Sequence, residues 1–400
     1  MKNKKNRVKI IANYLPQYHR IPENDRWWGE GFTDWTAVKG SLPLYQGHAQ
    51  PKIPLGGRYY QLDRPEAVRW QASLAKKYGI YGFGIYHYWF SSSLQLLQKP
   101  AEILLENKDI DMHFLFIWDN LTWKRTWSRL RRGLDWAPSY DGTSGSIEQG
   151  NREPGSGRTH FYSIEGADTA EKTKDAGILA RLDYGNETDW AKHYEYLSAF
   201  FKDDRYIKEK NRPVFCIFQP RNDIRTLKKM TACWNELAKQ DGFDGILMVS
   251  KDSIWPQRLE KKMKYAPFAP SSLPVFAKYK LKEYLAKRQG RIDFYTYDAC
   301  WQNLLREARK ARGDTWLCGF VSYDDTPRRG TRAKVVTGGS PRKFEKYMTQ
   351  LLKLSTIQHK EYVFLMAWNE WGEGAYLEPD EENHYEYLDA LKRAVLKADS

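Results

Sequence analysis

The segment Phe364–Pro379, FLMAWNEWGEGAYLEP, holds the side chains best suited to chemistry. Its apolar start reads as a buried strand, and the run ends in Trp368-Asn369-Glu370-Trp371-Gly372-Glu373-Gly374. Two carboxylates three residues apart, Glu370 and Glu373, walled by Trp368 and Trp371, suit glycosidic-bond chemistry. One acid of raised pKa protonates a leaving oxygen, and the other serves as base or nucleophile. Gly372 and Gly374 are expected to let the backbone turn so that both carboxylates face one pocket. A pair of solvated loop acids would fit the same spacing.

Polar and aromatic residues recur at the ends of four other strand-like runs: Asn13-Tyr14-Leu15-Pro16-Gln17-Tyr18-His19, Tyr86-His87-Tyr88-Trp89, Trp118-Asp119-Asn120 and Tyr323-Asp324-Asp325. Any one of these is an ordinary loop start. Their recurrence on one side of a sheet describes a cleft in which sugar rings stack on aromatic faces while amides, imidazoles and carboxylates hold hydroxyls. The 16 Trp and 26 Tyr fit this, since several stand in polar contexts and only the remainder is needed for core packing.

His19, His87 and Asp119 have no metal-ligand spacing, so hydroxyl recognition or structural hydrogen bonding is expected of them, and no metal site. Asp109-Ile110-Asp111 has the D-x-D form but precedes the third strand, on the opposite face, where it reads as a solvated turn. Arg328, Arg329, Arg332 and Lys334 follow the seventh strand and read as a solvated loop or as a clamp for phosphate. There is no P-loop and no G-x-S-x-G elbow, which removes nucleotide hydrolysis and serine esterase chemistry; no cofactor is expected.

These residues need elements to position them. Strand patterns cover Val8–Tyr14, Ile80–Tyr88, His113–Trp118, Pro213–Phe218, Gly245–Ser250, Lys264–Phe268, Trp316–Tyr323 and Tyr362–Trp368. Helical periodicity covers Pro65–Tyr78, Asp189–Phe201, Arg225–Gln240, Lys278–Arg288, Tyr297–Arg312, Pro341–His359 and a stretch from about His384 to Leu396. Eight strands, each followed by a helix or a long connection, predict a (β/α)8 TIM barrel in the α/β class. Two long loops, Pro16–Asp63 after the first strand and Trp123–Glu187 after the third, are expected to wall its mouth. One domain is expected over residues 8–400, behind a basic tail at 1–7.

Composition bounds the function. With 41% hydrophobic and 28% charged residues the chain builds a core and is neither disordered nor collagen-like. No run approaches the roughly 20 apolar residues of a spanning helix. The N-terminal residues lack a long apolar region and a cleavage site, so a cytoplasmic chain is expected. The four cysteines form no C-x-x-C pair, and Cys216 in VFCIF reads as a buried hydrophobe. A net charge of +14 suits a phosphate-bearing donor, an acidic glycan or peripheral contact with an anionic membrane. No nucleic-acid partner is expected, because the basic residues are scattered and no reader motif is present.

Together YLPQYH, IPENDRWWGEGFTDW, the YHYWF and WDN strand ends, DWAKHYEYLSAFFKDDRYI, YDDTPR and WNEWGEG resemble the WbsX-like glycosyltransferase family of bacterial O-antigen and capsule synthesis. The match runs from about Ile10 to Tyr387. More distantly, that family resembles the glycoside hydrolase family 99 endo-α-mannosidases, (β/α)8 barrels marked by E-W-H-E-G at the eighth strand. Glu370-Trp371-Gly372-Glu373-Gly374 matches that motif except at Gly372. The resemblance implies that Glu370 draws the proton from a sugar 2-hydroxyl, which attacks the anomeric carbon, and that Glu373 is general acid and then base. It also implies a sugar-binding cleft. We take its candidate residues as Tyr14, Gln17, His19, Trp28, Asp34, Trp35, His87, Tyr88, Trp89, Trp118, Asp119, Asn120, Tyr323, Asp324, Trp368, Asn369 and Trp371. The expected partners are a sugar donor and a glycan or lipid-linked acceptor. A retaining hydrolase or transglycosylase on mannose-like glycans is the alternative, and a non-catalytic glycan-binding protein is the rival from another class.

Overall fold

The computed structural model describes residues 8–124, 178–220, 223–251, 259–268 and 291–399, with isolated positions at 281, 284, 285 and 289. The tail at 1–7, most of the loop expected at 123–187 and nearly all of the helix expected at Lys278–Arg288 lie outside the described residues.

Eight strands form one closed ring. They are β1 (Lys9–Tyr14), β2 (Ile80–Ser91), β3 (His113–Trp118), β4 (Arg212–Ile217), β5 (Leu247–Lys251), β6 (Lys261–Lys264), β7 (Thr315–Phe320) and β8 (Tyr362–Met366). Each pairs in parallel with its sequence neighbours, and β1 also pairs with β8, Ile11 opposite Phe364, which closes the barrel. Strands buried on both faces need continuous apolar runs, and β3 (HFLFIW) and β8 (YVFLM) supply them. Cys216 on β4 is fully buried, as a small hydrophobe.

Ten helices are described: α1 (Pro22–Trp28), α2 (Asp34–Lys39), α3 (Pro65–Lys77), α4 (Lys99–Glu106), α5 (Glu187–Phe201), α6 (Ile224–Gln240), α7 (Tyr297–Arg309), α8 (Thr326–Arg329), α9 (Pro341–Ile357) and α10 (Glu386–Asp399). Their starts follow local chemistry. The Ser340 hydroxyl accepts the Lys343 N–H ahead of Pro341 at the first turn of α9, and the Asn186 side chain accepts the Thr188 N–H at the start of α5. Among the described residues no helix is long and apolar enough to cross a membrane.

The sixth strand is displaced from its expected position. Lys264–Phe268 was the apolar choice, yet the ladder forms over Lys261–Lys264, with Lys262 opposite Ser250 on β5 and Thr315 on β7. Met263 is the buried residue of this strand. Tyr265 and Phe268 instead extend past the strand end, where Phe268 packs on Tyr295 and Tyr323. Three lysines hid the strand, because flanking strands rather than side-chain pattern hold it in place. The helices α1, α2 and α4 and the short parallel pair Asp293–Thr296 with Lys334–Thr337 were also not expected.

Candidate active site

The C-terminal ends of the strands carry the site. Glu370 and Glu373 follow β8 on a turn in which Gly374 adopts a left-handed φ of +56° and its N–H bonds the Trp371 carbonyl at 3.0 Å. A side chain at 374 would also strike the Asp324 backbone N at 2.9 Å. Gly374 therefore serves the turn as expected. Gly372 serves a different end, since a Cβ there would lie 2.6 Å from both Arg328 Nε and Asp34 Oδ2. Its bare Cα is needed for space.

That space holds a buried charge cluster. Arg328, on α8 after β7, donates from Nη1 to Glu373 Oε1 at 2.9 Å and from Nη2 to Glu370 Oε2 at 3.2 Å. Asp34, the first residue of α2, takes Nε at 3.2 Å and Nη2 at 3.1 Å in a two-pronged pair. The arginine and both Asp34 and Glu370 are buried, whereas the Glu373 side chain is 24% exposed. Burial pushes the Glu370 carboxyl well above the ordinary carboxylate range. The charges of Glu373 and Asp34 push the same way, while Arg328 and Lys251 oppose them. A charged loop arginine was read from the sequence as a solvated or phosphate-clamping residue. The fold places it at the centre of the glutamate pair.

The loop that presents the pair is anchored from several sides. The Tyr18 hydroxyl donates to the Asn369 carbonyl at 2.6 Å and accepts the Trp371 N–H at 3.2 Å. The Trp371 indole N–H donates to Glu378 Oε2 at 2.7 Å. Glu378 is buried and also accepts from Tyr60 at 2.8 Å and from Gln71 at 2.7 Å. Burial raises its carboxyl to about 7, with the Trp371, Gln71 and Tyr60 hydrogen bonds opposing. Trp371, Tyr60, Arg58, Trp70 and Glu378 line a cavity of about 220 Å3.

Tyr86 and Tyr88 share one face of β2 by its two-residue period, and both phenols are driven well above their ordinary range by burial. Glu370 and Asp119 raise both further, so these carboxylates stand around the tyrosines. Asp119, after β3, is pushed up to about 7 by burial against the pull of Lys251 and Trp123. Its Oδ1 is buried without a hydrogen-bond partner. Lys251, at the end of β5, lies 3.9 Å from the Phe218 ring centroid. Gln17 donates to the Tyr88 hydroxyl at 3.1 Å. Tyr323 stands close enough to Glu373 to feel its charge. These residues gather with the glutamate pair.

The other candidates go elsewhere. His87 and Trp89 fall on the opposite face of β2, toward α5. There the His87 Nε2 meets His193 Nε2 at 2.8 Å, and Trp89 stacks on His193 at 4.2 Å. Burial lowers the His87 imidazole to about 3, so it is a neutral packing residue. Trp118 donates to the Trp89 carbonyl in the same layer. Tyr14 bonds Gln71 on α3 at 2.6 Å. Asn369 and Asn120 are amide clamps. Asn369 exchanges bonds with the Leu15 backbone at 2.7 and 3.0 Å, and Asn120 with the Gln219 backbone at 2.7 and 2.8 Å.

Asp324 is held by His48 Nε2 at 2.7 Å and Gln50 at 2.9 Å, which ties the first long loop to the end of β7. Because Leu44 N–H donates to His48 Nδ1, the Nε2–H tautomer donates to Asp324. Trp35 packs on Tyr18 and Trp371 with its indole N–H on the Tyr60 carbonyl. Trp28 is buried beside Phe32, Trp368 beside Phe83, and His19 is buried with its imidazole lowered by burial. Asp109 and Asp111 are exposed and pair with Arg69 and Lys76 ahead of β3, as the solvated turn expected. Sequence reasoning left Tyr18, Tyr86 and Lys251 out of the candidate site, and read Arg328 as a solvated loop residue or a phosphate clamp rather than as a partner of the glutamates. Tyr18 and Tyr86 lay within the motifs already singled out, and Lys251 carried no signal beyond its strand end.

The family profile described as Glycosyltransferase WbsX matches residues 10–142 and 169–391. The chain belongs to the WbsX glycosyltransferase family. The WxcX proteins of two Xanthomonas campestris pv. campestris strains are each 28% identical over 97% of this chain. The chain spans about half the length of these curated relatives, 50% in both. Among solved structures, the family 99 endo-α-mannosidase of Bacteroides thetaiotaomicron is similar with a TM-score of 0.51 at 14% identity, covering 98% of this chain and 96% of its own. A glycoside hydrolase-like protein is similar with a TM-score of 0.53 at 12% identity, covering 97% and 94%. These likenesses agree with the TIM-barrel fold of the WbsX chain.

Proposed function

We propose that this WbsX chain forms or remodels a glycosidic bond in bacterial surface-polysaccharide synthesis, with Glu370 and Glu373 as the reacting groups. The observation that carries this is the pair of carboxylates on one guanidinium at the C-terminal end of β8, the face on which TIM barrels do chemistry. Tyr86, Tyr88, Gln17, Asp119 and Tyr323 are proposed to bind the sugar.

In the first step the sugar 2-hydroxyl attacks the anomeric carbon and gives its proton to Glu370. Glu373 protonates the departing oxygen as its bond to the anomeric carbon breaks. In the second step an acceptor hydroxyl attacks the same carbon, Glu373 takes its proton, and the 2-oxygen leaves with the proton returned by Glu370. The acceptor is a glycan or lipid-linked hydroxyl for a transferase and water for a hydrolase. A carboxyl raised by burial becomes a stronger base once ionised, which suits Glu370 to the first proton. Turnover limited by that base rises with pH through neutrality; if Glu370 were the acid, it would fall.

A thermal-shift panel of UDP-, GDP-, dTDP- and CMP-sugars, with and without Mn2+, against manno-configured iminosugars tests the ligand class. A shift with one nucleotide sugar supports a transferase and identifies its donor. A shift with iminosugars alone supports hydrolase or transglycosylase chemistry, the reading favoured by the Glu-Trp-Gly-Glu-Gly turn. Product formation at the parental rate by Glu373→Gln removes Glu373 from the mechanism.

A further inference from the structure

Three carboxylates from distant parts of the chain converge on one guanidinium: Asp34 on α2, and Glu370 and Glu373 after β8. Asp34 holds Arg328 by two prongs, so the remaining Nη donors are aimed at the glutamates with little freedom. Space decides whether this arrangement exists at all. The guanidinium Nε and Asp34 Oδ2 each sit where a Cβ at position 372 would be, at 2.6 Å. Contacts below 3.0 Å to a charged group locked at both ends cannot be relieved by rotating a free side-chain tip. A side chain at 372 and the Arg328–Asp34 pair are therefore alternatives.

We propose that Arg328, admitted by the bare Cα of Gly372, is the positioning residue that makes Glu370 and Glu373 act as one unit. This rests on the reading of those glutamates as the reacting pair. One cation among three acids leaves an excess of negative charge when all are ionised, so a proton added to one member changes how tightly Arg328 holds the others. Other groups modulate this without bridging the pair: Tyr18 from the loop after β1, Tyr86 and Tyr88 from β2 and Lys251 at the end of β5 face Glu370, and Tyr323 and Asp325 after β7 face Glu373. A lysine at 328 would keep the charge and lose the fork that reaches three carboxylates at once.

The test is a carbon-13 NMR titration of protein labelled at the glutamate side-chain carboxyl carbon, with Glu370 and Glu373 assigned by their Gln variants. Arg328→Lys, Gly372→Ala and the double variant are compared with the parent. Each single change is expected to move the Glu370 midpoint upward by about one unit or more, because the guanidinium that favours its ionised form is lost or displaced. The double variant is expected to move it no further than the larger single change, since both act through one guanidinium. Should Arg328→Lys fail to fold, Gly372→Ala removes no charge and decides alone.

Midpoints unmoved in the single variants, or effects that simply add, overturn the proposal. Loss of turnover in both Gln variants with unmoved midpoints removes Arg328 from its role and leaves the pair standing. Moved midpoints with full turnover in both Gln variants overturn the catalytic reading on which the proposal rests.

Discussion

Two arginines at opposite ends of the barrel, Arg328 buried and Arg205 partly buried, do different work with the same side chain. At the mouth, Arg328 faces three carboxylates. At the other end, Arg205 faces Asp203 at 2.7 Å and the backbone carbonyls of Leu104, Asn107 and Ile110, while Lys108 adds a second cation to Asp203 at 2.5 Å. The Arg205 cluster has enough positive charge to keep its acid ionised and uses its spare donors to pin the α4–β3 turn. Burial opposes ionisation of Asp203, but the Arg205 and Lys108 hydrogen bonds outweigh it and hold its carboxyl well below the ordinary range. The Arg328 cluster is short of positive charge, and Glu370 is held well above that range. A balanced cluster stabilises, whereas an acid-rich one stores protons, which is what bond-making and bond-breaking need.

The largest expected effect breaks the balanced cluster. Arg205→Met strips three carbonyls and one carboxylate of a donor and should destabilise folding by about 3 kcal/mol or more, read by chemical denaturation. Glu373→Gln should leave the denaturation midpoint near the parent's and reduce turnover at least about a hundredfold. A larger stability loss in Glu373→Gln than in Arg205→Met would reverse the division of labour. Asn369→Ala removes the clamp on Leu15 behind the glutamates and should cost about 1–3 kcal/mol, with turnover falling alongside. Asn120→Ala should cost a similar amount of stability with a smaller effect on turnover, since its clamp holds the β4 end instead.

The smallest effect is in the pH dependence of melting, where the two clusters have opposite signs. Asp203 titrates lower in the folded state than in the unfolded chain. Its contribution is present above the unfolded carboxylate value near 4 and is lost as pH falls through the folded value, so Asp203→Asn should flatten the acid limb of the melting curve. Glu370 titrates higher when folded. Its contribution is complete below about 4 and is lost as pH rises through the folded value. Glu370→Gln should therefore melt higher than the parent above neutral pH and gain nothing near pH 4.

Much of the barrel was legible in the chain because local rules write it. Apolar runs such as HFLFIW and YVFLM fix buried strands, and the Ser340-Pro341 start fixes α9. Where local pattern was weak, as in KKMK, only the neighbouring ladders revealed the strand. The strand ends presented the right residue types, but the two-residue period divides them between faces. Tyr86 and Tyr88 go with the glutamates, and His87 and Trp89 pack against α5. Asn369 and Asn120 looked like sugar ligands and proved to be backbone clamps, because backbone N–H and C=O groups near them had to be satisfied.

By itself the sequence determined the eight-stranded barrel, the strand end that carries Glu370 and Glu373, and the turn glycine at 374. Those follow from hydrophobic period and from the steric freedom of single residues, which act over a few positions. Only the tertiary structure decided that Arg328 and Asp34, 294 positions apart, meet at the bare Cα of Gly372. A buried charge is tolerated only where the fold brings its counter-charges, and that pairing is written in three-dimensional proximity rather than in spacing along the chain.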